Sequence, residues 1–240
     1  MVPGTDLVIV RENTQGFYAD RNTFAGTGEF MPDADTAIAM AIFTRSAIER
    51  IATVAVELAR TRRRRLTIVH KANVLRLTTG MFRDVCREVA AGYPDVEVDD
   101  LHIDAAAARL VRHADRFDVI VTENMFGDIL SDLAGELAGS LGIAPSINAS
   151  LDKAMAQASH GSAPDIAGRN IANPIAMILS AGMLLHWLGT RHDDAALRAA
   201  AERISSGVEE AVKAGTMTPD MGGDTGTEEF ATAVAQVILR

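Results

Sequence analysis

Two aspartates, Asp128 and Asp132, lie four residues apart in the segment 123–146, where leucines and isoleucines recur at the spacing of a helix face. Residues at i and i+4 of a helix stand one above the other on the same face, so two carboxylates placed there repel each other. A divalent cation held between them and a third acid relieves that repulsion, and ligands that are all oxygen favour Mg²⁺ or Mn²⁺ over Zn²⁺. The same spacing also fits a solvated helix face with two ordinary acids, so the rest of the chain decides between the two interpretations.

The strands that must position these acids are predicted from short apolar runs, each followed by polar or charged residues. The runs are 6–10, 66–69, 96–103 and 117–122. Because helical patterns separate them, they predict an α/β architecture with a largely parallel sheet. Ligands of such sheets bind at the carboxyl ends of the strands. The residues that follow the runs, and are therefore candidates for ligand binding, are Arg11, Lys71, Asp104 and Asn124.

The remaining pattern predicts one arm and a series of helices. Gly26, Gly28 and Pro32 mark a loop or hairpin arm that reaches about residue 35. Helices are predicted at 44–58, 81–91, 105–111, 173–189, 194–214 and 228–239. Loops are predicted at 155–166 and 222–227.

Composition narrows the class of protein. The net charge of −9 argues against a long nucleic-acid-binding surface, and the arginines at 60 and 62–65 are assigned to the dipole of the helix that they end. Cys86 is the only cysteine, which predicts a cytoplasmic protein without an internal disulfide, and its valine neighbours favour packing over nucleophilic chemistry. The apolar run 175–188 is too short to span a bilayer, so no membrane association is expected.

Four blocks of sequence resemble the metal-dependent β-decarboxylating dehydrogenases, the family of isocitrate, isopropylmalate, homoisocitrate and tartrate/malate dehydrogenases. The blocks are VRENTQGFY at 10–18, HKANVLR at 70–76, NMFGDILSDL at 124–133 and HGSAPDIAGRNIANP at 160–174. The resemblance extends over nearly the whole chain, and the third and fourth blocks in combination are specific. The resemblance favours the metal interpretation of Asp128 and Asp132 over a plain helix face.

The resemblance implies an isopropylmalate-dehydrogenase-like two-domain α/β fold with a parallel or mixed sheet. Residues 1–138 would form the substrate, metal and dimerisation domain, with an arm at about 15–43, and residues 139–240 the C-terminal half of the cofactor-binding domain. The first part of the cofactor domain, on the order of a hundred residues and so the size of a small domain, is expected to be absent.

The implied activity is NAD-dependent oxidative decarboxylation of a 2-hydroxy acid that carries a β-carboxylate. The substrate type is 3-isopropylmalate by a narrow margin, with isocitrate, homoisocitrate and tartrate or malate as alternatives. A truncated, inactive homologue or a regulatory subunit is the second alternative.

The resemblance also implies roles for individual residues. Lys71 would be the base that acts on the substrate hydroxyl, and Tyr18 the acid that protonates the enolate after carbon dioxide leaves. Arg11 would clamp the substrate carboxylate and Asn73 would contact the substrate or the nicotinamide region. Asp128 and Asp132 would bind Mg²⁺ or Mn²⁺ together with Asp104 of a second subunit, which would also donate Lys71 to the site. A homodimer with shared active sites is therefore expected.

The cofactor-binding residues implied by the fourth block are His160, Gly161, Ser162, Ala163, Asp165, Ile166 and Asn173. The carboxylate of Asp165 can accept hydrogen bonds from the ribose hydroxyls of NAD and repels the 2′-phosphate of NADP. NADP-using relatives carry a lysine and a tyrosine at the positions of Asp165 and Ile166. The alternative is that Asp165 only caps the turn after Pro164.

Overall fold

The computed structural model describes residues 4–18 and 24–240, and the chain divides into two compact units between Leu137 and Ala138. The strands of the first unit are β1 (Val8–Arg11), β2 (Glu29–Asp33), β3 (Thr36–Ala39), β4 (Arg65–His70), β5 (Glu97–His102) and β6 (Val119–Thr122). Its helices are α1 (Arg45–Thr61), α2 (Thr78–Ala90), α3 (Ile103–His113) and α4 (Asn124–Ala138).

A parallel sheet with the strand order β1-β6-β4-β5 forms the centre of the first unit, and it confirms the predicted α/β fold. The middle strands β4 and β6 are buried at every residue except Arg65, because helices cover both faces of the sheet. Helices α1 and α2 pack on one face around Ile48, Val56 and Phe82. Helices α3 and α4 pack on the other face around Leu110 and Leu130.

The register of the sheet brings the carboxyl ends of its strands into line. Arg11 at the end of β1 pairs with Thr122 at the end of β6, and His70 at the end of β4 pairs with His102 at the end of β5. The residues that follow these ends therefore leave the sheet along one edge. This is the arrangement that the polar residues after the apolar runs predicted.

Two details of the first unit differ from expectation or extend it. Asp104 lies in the first turn of α3 rather than after a strand that ends at residue 103, because the helix begins at Ile103. A carboxylate in the first turn of a helix interacts favourably with the helix dipole.

In the arm, β2 and β3 pair as an antiparallel hairpin whose residues are all exposed. Residues 19–23 of the arm lie outside the described part, and its role in dimerisation stays a prediction.

The second unit contains strands β7 (Pro145–Ala149) and β8 (Ala154–Ala158) and helices α5 (Ile175–Arg191), α6 (Ala195–Lys213) and α7 (Thr227–Ile238). β7 and β8 pair antiparallel, so the prediction of a loop from residue 155 onwards was wrong for its first four residues. The strand is stabilised by a partner distant from it in sequence: the hydroxyl of Ser180 in α5 donates to the carbonyl of Gln157 at 2.7 Å. Phe230 and Val234 of α7 close the core of the unit against Ile175 and Val208.

Ion pairs within the first unit are formed by Arg60, in the last turn of α1, and by Arg62, Arg63 and Arg65, which follow the helix. Arg60 pairs with Asp95 at 2.9 Å, and Arg62 reaches the buried carboxylate of Asp118 at 2.8 Å. Cys86 is fully buried and burial raises the pKa of its thiol, which agrees with a packing role. In the described ranges no helix is both long and apolar enough to cross a bilayer, and the cytoplasmic location stays a prediction.

Candidate active site

Arg11 lies at the carboxyl edge of the sheet and is held by α4. Its Nη1 donates to Asp128 Oδ1 at 2.6 Å, and its Nε and Nη2 donate to Asn124 Oδ1 at 2.9 and 2.7 Å. Asn124 is oriented in turn, because its Nδ2 donates to the carbonyl oxygen of Gln15 at 2.9 Å. The guanidinium plane is thereby fixed by side chains one turn apart on the same helix.

Gly127 is the reason that Arg11 can lie against α4. A Cβ atom on this residue would stand 2.6 Å from Cγ of Arg11 and 2.8 Å from its Cβ. Real carbon atoms in contact are about 3.5–4.0 Å apart, so any side chain at position 127 would displace the arginine or the helix. The glycine inside the helical pattern of NMFGD was the sequence signal for this close approach, which was not predicted.

Glu123 anchors the start of α4. Its carboxylate accepts from the main-chain N–H of Phe126 at 2.8 Å and of Met125 at 3.2 Å, the contacts of an N-cap. The residue is 3% exposed, and burial raises the pKa of its carboxyl against the lowering effect of these two hydrogen bonds. Glu12 has a similar local role, since it accepts from the main-chain N–H of Thr14 and Gln15.

Tyr18 and Asp132 complete the group around Asp128. The hydroxyl of Tyr18 lies 3.5 Å from Asp128 Oδ2, at the limit of a hydrogen bond. Asp132 stands one turn further along α4 and is exposed. We call Arg11, Tyr18, Asp128 and Asp132 the α4 group.

Lys71 and Asp104 form a second group at the same edge of the sheet. Lys71 follows β4, Asp104 lies in the first turn of α3, and Lys71 Nζ stands 2.5 Å from Asp104 Oδ1. The hydrogen bond from Lys71 holds the pKa of Asp104 below its usual range. Asn73, which was predicted to contact substrate, is exposed in the turn that follows Lys71.

The predicted metal ligands fall into both groups. Asp128 and Asp132 lie together on α4, whereas Asp104 lies with Lys71. Across residues 4–18 and 24–240, no three His, Cys, Asp or Glu side chains are close enough to hold a metal ion. Asp104 was predicted to join the site of a second subunit. The structure contains one chain, so this assignment stays a prediction.

The predicted cofactor-binding residues lie in the second unit, in the loop that follows β8. His160 to Asp165 are exposed and Ile166 is half-buried, and Ala163 has a left-handed backbone with φ +42° before the short 3₁₀ turn Pro164–Ile166. In the described part of the chain the Asp165 carboxylate forms no hydrogen bond, so the turn-capping alternative has no contact to support it.

Asn173, by contrast, is buried and its side chain is used within the second unit. Its Oδ1 accepts from the N–H of Ile175 at 2.9 Å, and its Nδ2 donates to Asp220 at 3.0 Å. Asp220 also accepts from Ser140 and Thr218. The side chain of Asn173 is therefore held by contacts within the second unit, and its predicted role towards adenine stays a prediction.

Comparison with known proteins identifies the class to which this fold and these residues belong. The model of the family described as isocitrate/isopropylmalate dehydrogenase matches residues 1–234. The chain is 47% identical over 239 residues to 3-isopropylmalate dehydrogenase of Archaeoglobus fulgidus, covering 99% of this chain and 69% of that protein. It is 48% identical over 237 residues to isocitrate/homoisocitrate dehydrogenase of Thermus thermophilus, covering 98% of this chain and 66% of that protein.

A solved structure gives the same result. The crystal structure of isocitrate dehydrogenase from Methylococcus capsulatus superposes with a TM-score of 0.86 at 42% identity, over 99% of this chain and 70% of that one. The chain belongs to the isocitrate/isopropylmalate dehydrogenase family, and it spans about two thirds of the length of these relatives.

Proposed function

We propose that this chain carries the substrate- and metal-binding residues of an NAD-dependent β-decarboxylating dehydrogenase that acts on 3-isopropylmalate. The observation that carries the proposal is the edge of the parallel sheet. There an arginine, a tyrosine and two aspartates form one group, and a lysine and an aspartate form another. Family membership supplies the reaction class to which these residue types belong.

Substrate binding is assigned to Arg11. Its guanidinium is a planar fork that suits a carboxylate, and Asn124 fixes the plane of that fork through two of its nitrogens. Tyr18 lies beside Asp128 and is assigned the proton that the enolate carbon takes up. Lys71 is assigned the proton of the C2 hydroxyl, and Asn73 the polar contact next to it.

The donor set on α4 fits Mg²⁺ or Mn²⁺. Asp128 and Asp132 offer carboxylate oxygens one helical turn apart. The side chain of Asp128 is 48% exposed and Asp132 is also exposed, and neither residue offers a nitrogen or sulfur ligand. A divalent ion bound there supplies Lewis-acid stabilisation of the charge that develops on the substrate oxygen. With only two ligands from α4, the site needs further oxygens, and Asp104 of a second copy is proposed as one of them.

Complementation between subunits tests the shared site. Lys71→Ala removes the proposed base, and Asp128→Ala removes a proposed metal ligand. If two copies share each site, a heterodimer of these inactive variants keeps one site with both residues intact. Mixing them under conditions of subunit exchange should restore part of the activity. Proven exchange without recovery would exclude the shared site.

The choice of NAD is proposed from Asp165, which is exposed and forms no hydrogen bond or ion pair with any described residue. Its charge favours ribose hydroxyls and repels a 2′-phosphate. We expect NAD to exceed NADP by at least about tenfold in kcat/KM, equivalent to about 1.4 kcal/mol. The double change Asp165→Lys and Ile166→Tyr should narrow or invert the ratio. A preference of the unaltered protein for NADP would show that the role given to Asp165 is wrong.

The side group of the substrate is the least constrained part of the proposal, because relatives named for isopropylmalate and for isocitrate/homoisocitrate are equally similar to this chain. Steady-state rates with 3-isopropylmalate, isocitrate and homoisocitrate, each with NAD and Mn²⁺, decide between them. We expect 3-isopropylmalate to have the highest kcat/KM. Absence of turnover with all three and with tartrate and malate would favour an inactive or regulatory homologue.

A further inference from the structure

His70 is a buried titratable residue that none of the roles above uses. It ends β4, directly before Lys71, and is 1% exposed. Both of its ring nitrogens have partners: Nε2 lies 2.7 Å from Asp100 Oδ1, and Nδ1 lies 3.0 Å from the main-chain nitrogen of Ala72. A buried histidine with both nitrogens engaged has a defined protonation state as well as a defined position.

The partners determine which nitrogen carries the proton. The main-chain nitrogen of Ala72 is a donor, so Nδ1 must accept and cannot carry a proton. The proton of the neutral ring is therefore on Nε2, where it is donated to the Asp100 carboxylate. Asp100 also accepts from Arg87, which holds it in place. A second proton on the ring would set an N–H against the N–H of Ala72.

Burial opposes that second proton. It lowers the pKa of His70, against the raising effect of the hydrogen bond and charge of Asp100. His102, whose ring packs edge-on at 5.2 Å between centroids, and Arg83 lower the pKa of His70 further. The carboxylate of Asp84 also interacts with the charge of His70.

The hydrogen bond to Ala72 fixes the backbone that carries Lys71. The N–H of Lys71 donates to Thr79 Oγ1 at 3.1 Å, and the next N–H, that of Ala72, donates to His70. The carbonyl of Lys71 accepts from Leu75 at 2.9 Å. The peptide groups on both sides of the Lys71 Cα are thus held, and this sets the direction in which its side chain leaves towards Asp104.

We propose that His70 is a positioning residue for Lys71, acting as the neutral Nε2–H tautomer and held by Asp100. The functional part of this inference rests on the role of base proposed for Lys71, whereas the tautomer and the hydrogen bond to Ala72 do not.

The first test does not depend on catalytic activity, and it uses a variant only to assign signals. Two-bond ¹H–¹⁵N correlation spectra of the purified protein, with the His70 signals identified by their loss in His70→Asn, report the proton on each ring nitrogen. We expect a protonated Nε2 and an unprotonated Nδ1, persisting below the pH at which exposed histidines titrate. A protonated Nδ1 near neutral pH, or titration of His70 together with the exposed histidines, would overturn the assignment.

The second test uses two amide variants of similar polarity. In His70→Asn the side-chain oxygen takes the place of Nδ1 and keeps the acceptor for Ala72. In His70→Gln the longer side chain places its amide near the position of Nε2 and leaves Ala72 without its acceptor. We expect the amide hydrogen of Ala72 to exchange on the order of tenfold faster in His70→Gln than in His70→Asn, as for the loss of one hydrogen bond.

In steady-state kinetics we expect kcat to be on the order of tenfold lower in His70→Gln than in His70→Asn, and we expect KM to change less than kcat. Equal exchange and equal kcat in the two variants would overturn the proposal. If the protein catalyses no oxidation of any 2-hydroxy acid, the base role of Lys71 fails. The tautomer and exchange results still decide whether His70 holds the Lys71 backbone.

Discussion

Replacing Gly127 by alanine would drive a methyl group into the stem of Arg11. The new Cβ would meet Cγ, Cβ and Cδ of that arginine at 2.6, 2.8 and 3.0 Å. A clash with the far end of an arginine can be relieved by a change of rotamer. The Cβ of Arg11, however, is fixed by the backbone of β1, so either α4 or β1 must move.

The expected change in the free energy of unfolding is the sum of effects of opposite sign. Alanine is better than glycine in a helix interior by about 1 kcal/mol. Forcing a methyl group into a filled space costs about 1–3 kcal/mol. Displacing Arg11 from Asn124 or Asp128 also loses a charge-assisted hydrogen bond worth about 1.5 kcal/mol. The expected result is a net loss of about 2 kcal/mol in the free energy of unfolding, and a fall in Tm of about 4–8 °C for a chain of this size.

Gly80→Ala is the matched control. Gly80 is also buried in a helix, α2, but a Cβ there would meet its nearest neighbours at 3.8 and 3.9 Å, an ordinary contact. The same substitution should therefore be neutral or stabilise the protein by up to about 1 kcal/mol. Urea unfolding of the three proteins, followed by circular dichroism, measures the difference. With substrate, Gly127→Ala should also raise KM, since the arginine clamp is displaced.

A Gly127→Ala protein as stable as the Gly80→Ala protein would refute the reasoning, because it would show that α4 and β1 separate without cost. A destabilised Gly127→Ala protein with unchanged KM would keep the packing argument and remove Arg11 from substrate binding.

Two further predictions concern charges at the same edge. Millimolar Mg²⁺ or Mn²⁺ should raise Tm by mass action on the folded protein, and Asp132→Asn should blunt the rise; an unchanged melting curve would argue against a metal site on α4. Burial raises the pKa of Glu123 in the folded protein above the ordinary glutamate value of 4.5. The stability that Glu123 contributes is therefore fully present below pH 4.5 and is lost as the pH rises through the folded pKa. In urea unfolding, the stability of Glu123→Gln relative to the unaltered protein should therefore increase between pH 4 and 7. Glu123→Ala should lose about 1 kcal/mol because the N-cap is removed. A parallel pH dependence of the unaltered and Glu123→Gln proteins would show that Glu123 does not titrate in this range.

The strand ends of the first unit were predictable because the residues of each strand in a parallel sheet themselves indicate that the strand is buried. The interior of a central strand is mostly apolar and buried, and the polar residues that follow the strand mark the edge of the sheet. Arg11, Lys71 and Asn124 were found in this way. The pairing of Lys71 with Asp104 needed one more fact, the order of the strands, which places β4 beside β5 and is not a local property of either segment.

Features that depend on a distant partner were missed. Strand β8, Ala154–Ala158, has small and polar residues without the β-branched residues that mark strands, and it forms because β7 and Ser180 of α5 satisfy its backbone. The contact of His70 with Asp100 spans 30 residues and appears only once β4 and β5 lie side by side. A glycine such as Gly127 is visible in a sequence, but the arginine stem that requires it is not.

The two groups at the edge of the sheet share one electrostatic arrangement. In each, the cation proposed to act on substrate is paired with a carboxylate proposed to bind metal: Arg11 with Asp128, and Lys71 with Asp104. The carboxylates of these pairs have side-chain exposures of 48% and 69%, so the pairs are well solvated and inexpensive to break. A substrate anion that binds together with a metal cation can replace each of these ion pairs by two new ones. The arginine or lysine then pairs with the substrate anion and the aspartate pairs with the metal, so no charge is left unpaired. Removing one member of a pair should therefore affect ligand binding more than folding, which is the opposite of the expected effect of Gly127→Ala.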